Sequence, residues 1–230
     1  RQSSALTRKA WLRDPHNRLL ARASRFRLPA ELIRDGALAN GGLLVERIGG
    51  PSVKPYQPSG LWKETSNRPY VQDSGSALYR RSLYTYWKRS VPPPNMFALD
   101  APTREICTTR RQRTNTPLMA LVLMNDPTFV EAARALAVRA LVRDADNEVA
   151  RIEWLFASVT ARRPAIEELE TLVSLLADQR TRFRSRPASA RQLLGVGASP
   201  IDKRVDVVEQ AAWTALCSVL LNTDEAITRE

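Results

Sequence analysis

The sequence predicts a mainly α protein: a helical bundle-like domain with one short strand or hairpin and a long loop punctuated by proline and glycine. Three observations predict it. From Thr116 onward, capping residues and prolines recur just ahead of apolar runs at helical spacing. Between Gly49 and Ala77 that periodicity gives way to turn residues. Only Tyr79 to Lys88 has the aromatic, alternating character of a strand. With 230 residues, 43% hydrophobic and 26% charged, the chain has enough apolar side chains to bury a core.

Residues 1–27 read as an N-terminal arm that continues from domains upstream. The opening Arg1-Gln2-Ser3-Ser4 reads as a chain entered midway, a C-terminal piece of something longer. In the arm, Leu6, Trp11, Leu19 and Leu20 are scattered among arginines, and His16 follows the turn pair Asp14-Pro15. Residues 28–230 read as a single helical domain. Its first helix has Pro29 just inside the start, Leu32, Ile33 and Leu38 on one face, and an end by Asn40-Gly41-Gly42. The loop that follows carries Lys54-Pro55-Tyr56-Gln57-Pro58, Trp62 and Ser74-Gly75-Ser76; a loop this long in a compact domain is functional or covers something. The strand candidate, with Leu83, Tyr84, Tyr86 and Trp87, stops at Pro92-Pro93-Pro94.

Helices then follow one another. Thr116-Pro117 opens the run from Leu118 to Met124, and Asn125-Asp126-Pro127 repeats the device ahead of Phe129, Ala133, Leu136 and Leu141. Asn147 to Ser158 carries Val149, Ile152, Leu155 and Phe156 at helical spacing, and Arg163-Pro164 starts an amphipathic stretch from Ile166 to Leu176. Asp206-x-x-Glu209 has capping-box spacing before Ala211 to Leu221, the most apolar helix, with Trp213 and Cys217.

Composition narrows the function classes. Lys plus Arg exceed Asp plus Glu by 35 to 24, and arginine dominates the excess, which suits planar contacts with carboxylate, phosphate or sulfate. The plainer reading is arginine paired internally with glutamate along helices. Zinc-finger spacing, an RNP-like motif and a basic region with heptads are all missing, which argues against specific nucleic-acid recognition. One histidine, His16, and two cysteines, Cys107 and Cys217, without C-x-x-C or H-E-x-x-H, leave no metal or haem chemistry to this stretch. The apolar neighbours of both cysteines suit buried thiols, with one long-range disulfide as the alternative. No apolar run approaches the roughly 18 residues of a membrane span.

The densest polar signal runs from Asp100 to Thr116. If the chain turns back on itself there, Asp100, Arg104, Glu105, Arg110, Arg113 and Asn115 converge on an anionic or sugar-like ligand. The structural alternative has Asp100 capping a short helix at 101–105, Asn115 and Thr116 capping the next, and the arginines satisfying buried carbonyls and carboxylates. Asp100 with Glu105, or Asp100 with Asp126, is the pair that glycoside hydrolysis would require. A G-x-S-x-G elbow is missing, and Cys107 has no histidine partner nearby in sequence. The aromatic set Tyr56, Trp62, Tyr79, Tyr84, Tyr86 and Trp87 suits packing under helices, with a sugar-stacking or haem-facing surface as the alternative.

Three stretches carry a family resemblance: Tyr79-Arg80-Arg81-Ser82-Leu83-Tyr84-Thr85-Tyr86-Trp87-Lys88-Arg89 running into Pro92-Pro93-Pro94, then Phe97-Ala98-Leu99-Asp100-Ala101-Pro102-Thr103-Arg104-Glu105-Ile106-Cys107, then Arg110-Arg111-Gln112-Arg113-Thr114-Asn115-Thr116-Pro117-Leu118-Met119-Ala120-Leu121. They resemble the domain-of-unknown-function family 1553, the C-terminal domain of planctomycete-type proteins that carry a cytochrome c domain. The ending from Trp213 to Glu225 fits the same family, so the resemblance runs from about Asp14 to the end. Met119 stands where relatives carry glutamine. The resemblance implies an exported, periplasmic or cell-surface protein, haem c on a missing upstream domain rather than here, and an accessory role packing on upstream domains. That role includes completing an anionic-ligand or carbohydrate site; the competing expectation is an enzyme domain acting on a polysaccharide or other anionic substrate, with Asp100 to Asn115 at its site. No catalytic residue comes with the resemblance.

Overall fold

A computed structural model describes Ser4 and residues 6–65, 68–143 and 147–229. It is mainly helical, as the sequence predicts. The helices are α1 (Arg8–Arg13), α2 (Ala30–Gly41), α3 (Pro94–Ala98), α4 (Pro117–Asn125), α5 (Pro127–Leu141), α6 (Glu148–Thr160), α7 (Ile166–Ser185), α8 (Pro187–Leu194), α9 (Val207–Leu221) and α10 (Asp224–Ile227). Strands β1 (Phe26–Arg27) and β2 (Thr228–Arg229) form a two-stranded antiparallel sheet. The segment read as an arm is therefore tied at its inner end to the chain's last residues. Among the described residues no helix is long and apolar enough to cross a membrane.

Local chemistry starts the long helices. The Thr116 hydroxyl accepts from the Met119 amide, Asp126 from Thr128, Asn147 from Val149, and Asp206 from both Val208 and Glu209, so each side chain satisfies a donor that the first helical turn leaves open. α2 ends on Gly42 at φ +72°, in the left-handed region that glycine enters without strain. α7 begins two residues after Pro164, where Glu168 Oε2 accepts from the Ala165 amide at 2.7 Å.

The centre of the bundle is α5 packed on α2 and α9, with α7 and α8 on the other sides of α9. Small residues permit the close approach. Ala132, Ala133, Ala137 and Ala140 on α5 and Ala211 and Ala212 on α9 are all buried in the one core that these helices share. At the end of α2, Gly41 lies so near α5 that a Cβ there would stand 2.8 Å from the Ala132 carbonyl oxygen.

Tyr79 to Lys88 is not a strand. It folds into 3-10 turns at Gly75–Tyr79 and Ser82–Tyr84, and its ladder pairing with the preceding loop is limited to single bridges, Val45 with Arg80 and Val53 with Thr85. The cause is Arg34, buried on α2. Its guanidinium donates to the Leu78 carbonyl at 2.8 Å and the Arg80 carbonyl at 2.9 Å, while Asp35 accepts from the Ser82 amide at 2.8 Å. Carbonyls and amides that a strand would offer to a neighbour are already used by α2.

The cysteines also depart from expectation. Both are free; Cys217 is buried in α9, whereas Cys107 is exposed. An apolar neighbour does not bury a thiol when the backbone around it makes no packed element: Ile106 beside Cys107 is itself 78% exposed.

Candidate functional site

The segment read as the densest polar signal does turn back on itself. After α3, Leu99 and Ala101 are buried on either side of Asp100, which takes φ +59°, a left-handed conformation that aspartate tolerates better than most residues. Asp100 Oδ2 then accepts from the Thr114 amide at 2.7 Å, the Thr114 hydroxyl at 2.8 Å and Arg27 Nη2 at 2.6 Å. These bonds close the base of a loop over residues 100–114, a compact surface excursion whose ends meet. No helix forms at 101–105, so Asp100 is a loop clasp rather than a cap.

Along the loop the guanidinium groups go different ways. Arg104, also at positive φ, stacks over the Trp87 ring at 4.4 Å, and Trp87 Nε1 donates to the Thr103 carbonyl at 2.9 Å. Arg113 stacks over Phe26 at 4.6 Å. Arg111 forms an ion pair with Glu31 of α2 at 2.9 Å. Arg110 makes no ion pair or hydrogen bond among the described residues. Glu105 and Asn115 are exposed, and Thr116, not Asn115, caps α4.

Behind this loop lies an open cleft of about 1340 Å³. Phe97 of α3, Ile106 of the loop, and Leu118 and Leu121 of α4 line it, and each is more than half exposed. Its polar rim includes Tyr56, Asn95, Asp100, Arg110, Asn125 and Asp126. Of the six residues read from sequence as a ligand set, Asp100 and Arg110 line the cleft; Arg104, Glu105, Arg113 and Asn115 do not. Asp100 and Asp126 share the lining, but each carboxylate is occupied, one clasping the loop and the other capping α5 through the Thr128 amide at 2.9 Å. Burial raises the Asp126 pKa against the lowering effect of its hydrogen bonds with Thr128.

Tyr56 and Tyr79 read from sequence as packing aromatics, and Glu131 does not stand out; the structure joins the three, and Tyr56 also lines the cleft. Tyr56 donates to Glu131 Oε2 at 2.8 Å, and Tyr79 donates to Glu131 Oε1 at 2.9 Å. The Ser199 amide also donates to Oε1, at 2.5 Å. Glu131 is fully buried on α5, and Arg134, three residues on, is buried with it at 3.6 Å. Burial and the carboxylate beside them raise the pKa of both tyrosines. The one signal available in sequence is an acid and a base three apart in an otherwise alanine-rich helix. The aromatic set divides: Trp62 is buried against Tyr70 with ring centroids 5.1 Å apart, Tyr79 packs on the core, and Tyr86 is exposed.

Fold and cleft together define a helical domain with an open, largely apolar cleft whose two lining carboxylates, Asp100 and Asp126, are both engaged. The chain belongs to the PSD1 family, Protein of unknown function (DUF1553), which matches residues 1–176. The match begins upstream of Asp14 and stops inside α7, so the ending from Trp213 lies beyond it, although α9 is at the centre of the same bundle. No curated protein and no solved structure matches the chain.

Proposed function

We propose that this chain is a non-catalytic accessory domain of an exported, cytochrome-c-associated multidomain protein, and that its cleft receives an acidic, apolar-anchored polypeptide segment of an upstream domain. Haem c belongs, in this reading, to a domain outside the chain. The observation that carries the docking role is the cleft itself: side chains exposed on three separate pieces of chain, Phe97, Ile106, Leu118 and Leu121, face one space larger than most small-molecule sites. Charge decides the partner's sign. Asp100 is paired with Arg27 and Arg111 with Glu31; of the two lining charges that remain, Asp126 is held as the cap of α5, and Arg110 is the cation left to meet an acidic segment.

The competing reading, an enzyme acting on a polysaccharide, is favoured by Asp100 and Asp126 sharing the lining and opposed by both being engaged. A fluorescently labelled peptide of alternating leucine and glutamate, and an oligogalacturonate, distinguish the two. The docking reading expects the peptide to bind, the binding to weaken with added salt, and Arg110→Ala to weaken it further. Failure of the peptide to bind sinks the reading, and hydrolysis of the oligogalacturonate establishes the competing one.

A further inference from the structure

Residues 6–25 carry a surface that the cleft does not use. α1 buries none of its residues, and Trp11 and Leu12 stand 54% and 67% exposed. The turn that follows is built rather than frayed. Asp14, buried, ends α1 by donating its amide to the Ala10 carbonyl, and its carboxylate accepts from the Arg18 amide at 2.8 Å and the Leu19 amide at 2.7 Å. Asn17 holds the Arg22 amide at 3.2 Å and the Arg22 carbonyl at 2.8 Å, while the Arg22 guanidinium donates to the Asp14 and Pro15 carbonyls. At the tip of this clasp Leu19 and Leu20 are 78% and 71% exposed. Leu20 takes φ +53°, a left-handed conformation that suits glycine or asparagine and strains leucine. A formed turn thus holds two leucines out in water, one of them on a strained backbone.

Charge of one sign surrounds these side chains. Arg8, Lys9, Arg13 and Arg18 are exposed and make no ion pair among the described residues. Asp14 is the one acid between residues 6 and 25, and its oxygens are taken by amides. We propose that this arm docks on an anionic lipid bilayer, with the four cations at the headgroup phosphates and Trp11, Leu12, Leu19 and Leu20 entering the boundary with the acyl chains. Basic elements that also expose Trp and Leu bind at that boundary through apolar area and charge together. A nucleic acid would use the cations and leave the leucines in water. A folded protein partner anchors its contacts in pockets, and neither the cleft nor the smaller cavity beside Arg134 takes a residue from the arm. A fluid surface needs no pocket.

Sedimentation of the whole chain at physiological salt tests the proposal, with vesicles of phosphatidylcholine alone and of equal parts phosphatidylcholine and phosphatidylglycerol. The mixed vesicles should retain the chain, and pure phosphatidylcholine should retain it about tenfold or more weakly. Leu19→Ser with Leu20→Asn keeps every charge and suits the turn. That double variant should bind the mixed vesicles about tenfold or more weakly with unchanged circular dichroism. Arg110→Ala, which acts in the cleft, should bind them as the native chain does. Equal retention by both vesicles, no retention, or a double variant that binds like the native chain overturns the proposal. Tight binding of polyglutamate without retention on vesicles overturns it in favour of an acidic protein partner. Should the double variant fail to fold, tryptophan emission decides: mixed vesicles should shift it to the blue, and a shift that survives Trp11→Phe overturns the proposal.

Discussion

The Tyr56 hydroxyl donates to Glu131 Oε2 at 2.8 Å and accepts from the Ala198 amide at 2.7 Å, which fastens the rim of the cleft to the buried face of α5. Tyr56 lies in the long loop, Glu131 in the central helix and Ala198 in the turn after α8. One carboxylate thus sets where three distant pieces of chain meet.

Glu131→Ala should destabilise the chain by about 3–5 kcal/mol, the usual cost of leaving a buried charge such as Arg134 without its partner. Gly197→Ala acts on the same point from outside. Its Cβ would stand 2.5 Å from Glu131 Cδ, at a backbone φ of +91°. A loss of about 1–3 kcal/mol is expected. Urea unfolding followed by far-ultraviolet circular dichroism measures both, and a Glu131→Ala midpoint equal to that of the native chain contradicts the account.

Asp100→Ala should open the base of the 100–114 loop, since the Thr114 amide, the Thr114 hydroxyl and Arg27 all lose their acceptor. Limited digestion with trypsin should then cut faster after Arg110, Arg111 and Arg113. Asp100→Asn keeps an acceptor and tolerates positive φ, so its cleavage should fall between the two.

Asp126 gives a pH dependence of definite sign. Burial raises its folded pKa, so between the ordinary aspartate value and that raised value the folded chain holds more protons than the unfolded one. Stability from this group therefore falls as pH rises through the window. Asp126→Asn keeps an oxygen for the Thr128 amide and has no proton to lose. Its stability relative to the native chain should climb across the window and then level off, as read by denaturant melts at a series of pH values.

Glu168 has the opposite sign. The Arg162 guanidinium and the Ala165 amide hold its pKa down to about 2, so its contribution is present above the ordinary glutamate value and lost as pH falls toward 2. The group is exposed and the effect is screened by salt. Glu168→Gln should flatten the acid limb of the melt at low ionic strength and change it little at high.

Thiol chemistry separates the two cysteines. A maleimide should add once to the native chain, at Cys107, and a second time, at Cys217, only in denaturant. Burial raises the Cys217 pKa and keeps the thiolate scarce as well as covered. Two rapid adducts on the native chain, counted by mass spectrometry, would contradict the packing of α9.

Besides the arginines that pair with glutamate, such as Arg111, Arg162 and Arg180, four are turned inward on backbone. Arg27, Arg34, Arg80 and Arg134 are buried, and each donates to backbone carbonyls far away in sequence: Leu99 for Arg27, Leu78 for Arg34, Pro51 for Arg80, Leu194 for Arg134. A planar guanidinium with five donors is the side chain best able to satisfy irregular backbone inside a protein. The long loop and the turns from Gly75 to Tyr84 hold their shape this way rather than by a ladder of strands.

Sequence alone determined the helical class and the starts of α4, α5, α6 and α9, because caps, prolines and apolar spacing act within a few residues of the backbone they organise. Tertiary structure decided the rest. Whether Arg104 grips a ligand or stacks on Trp87, whether Cys107 is covered, and whether Tyr79 to Lys88 pairs as a strand all depend on partners that arrive from other parts of the chain. The cleft and the Glu131 cluster belong to that second kind. Each exists only where separate elements pack together, and no local run of residues carries the geometry of its neighbours.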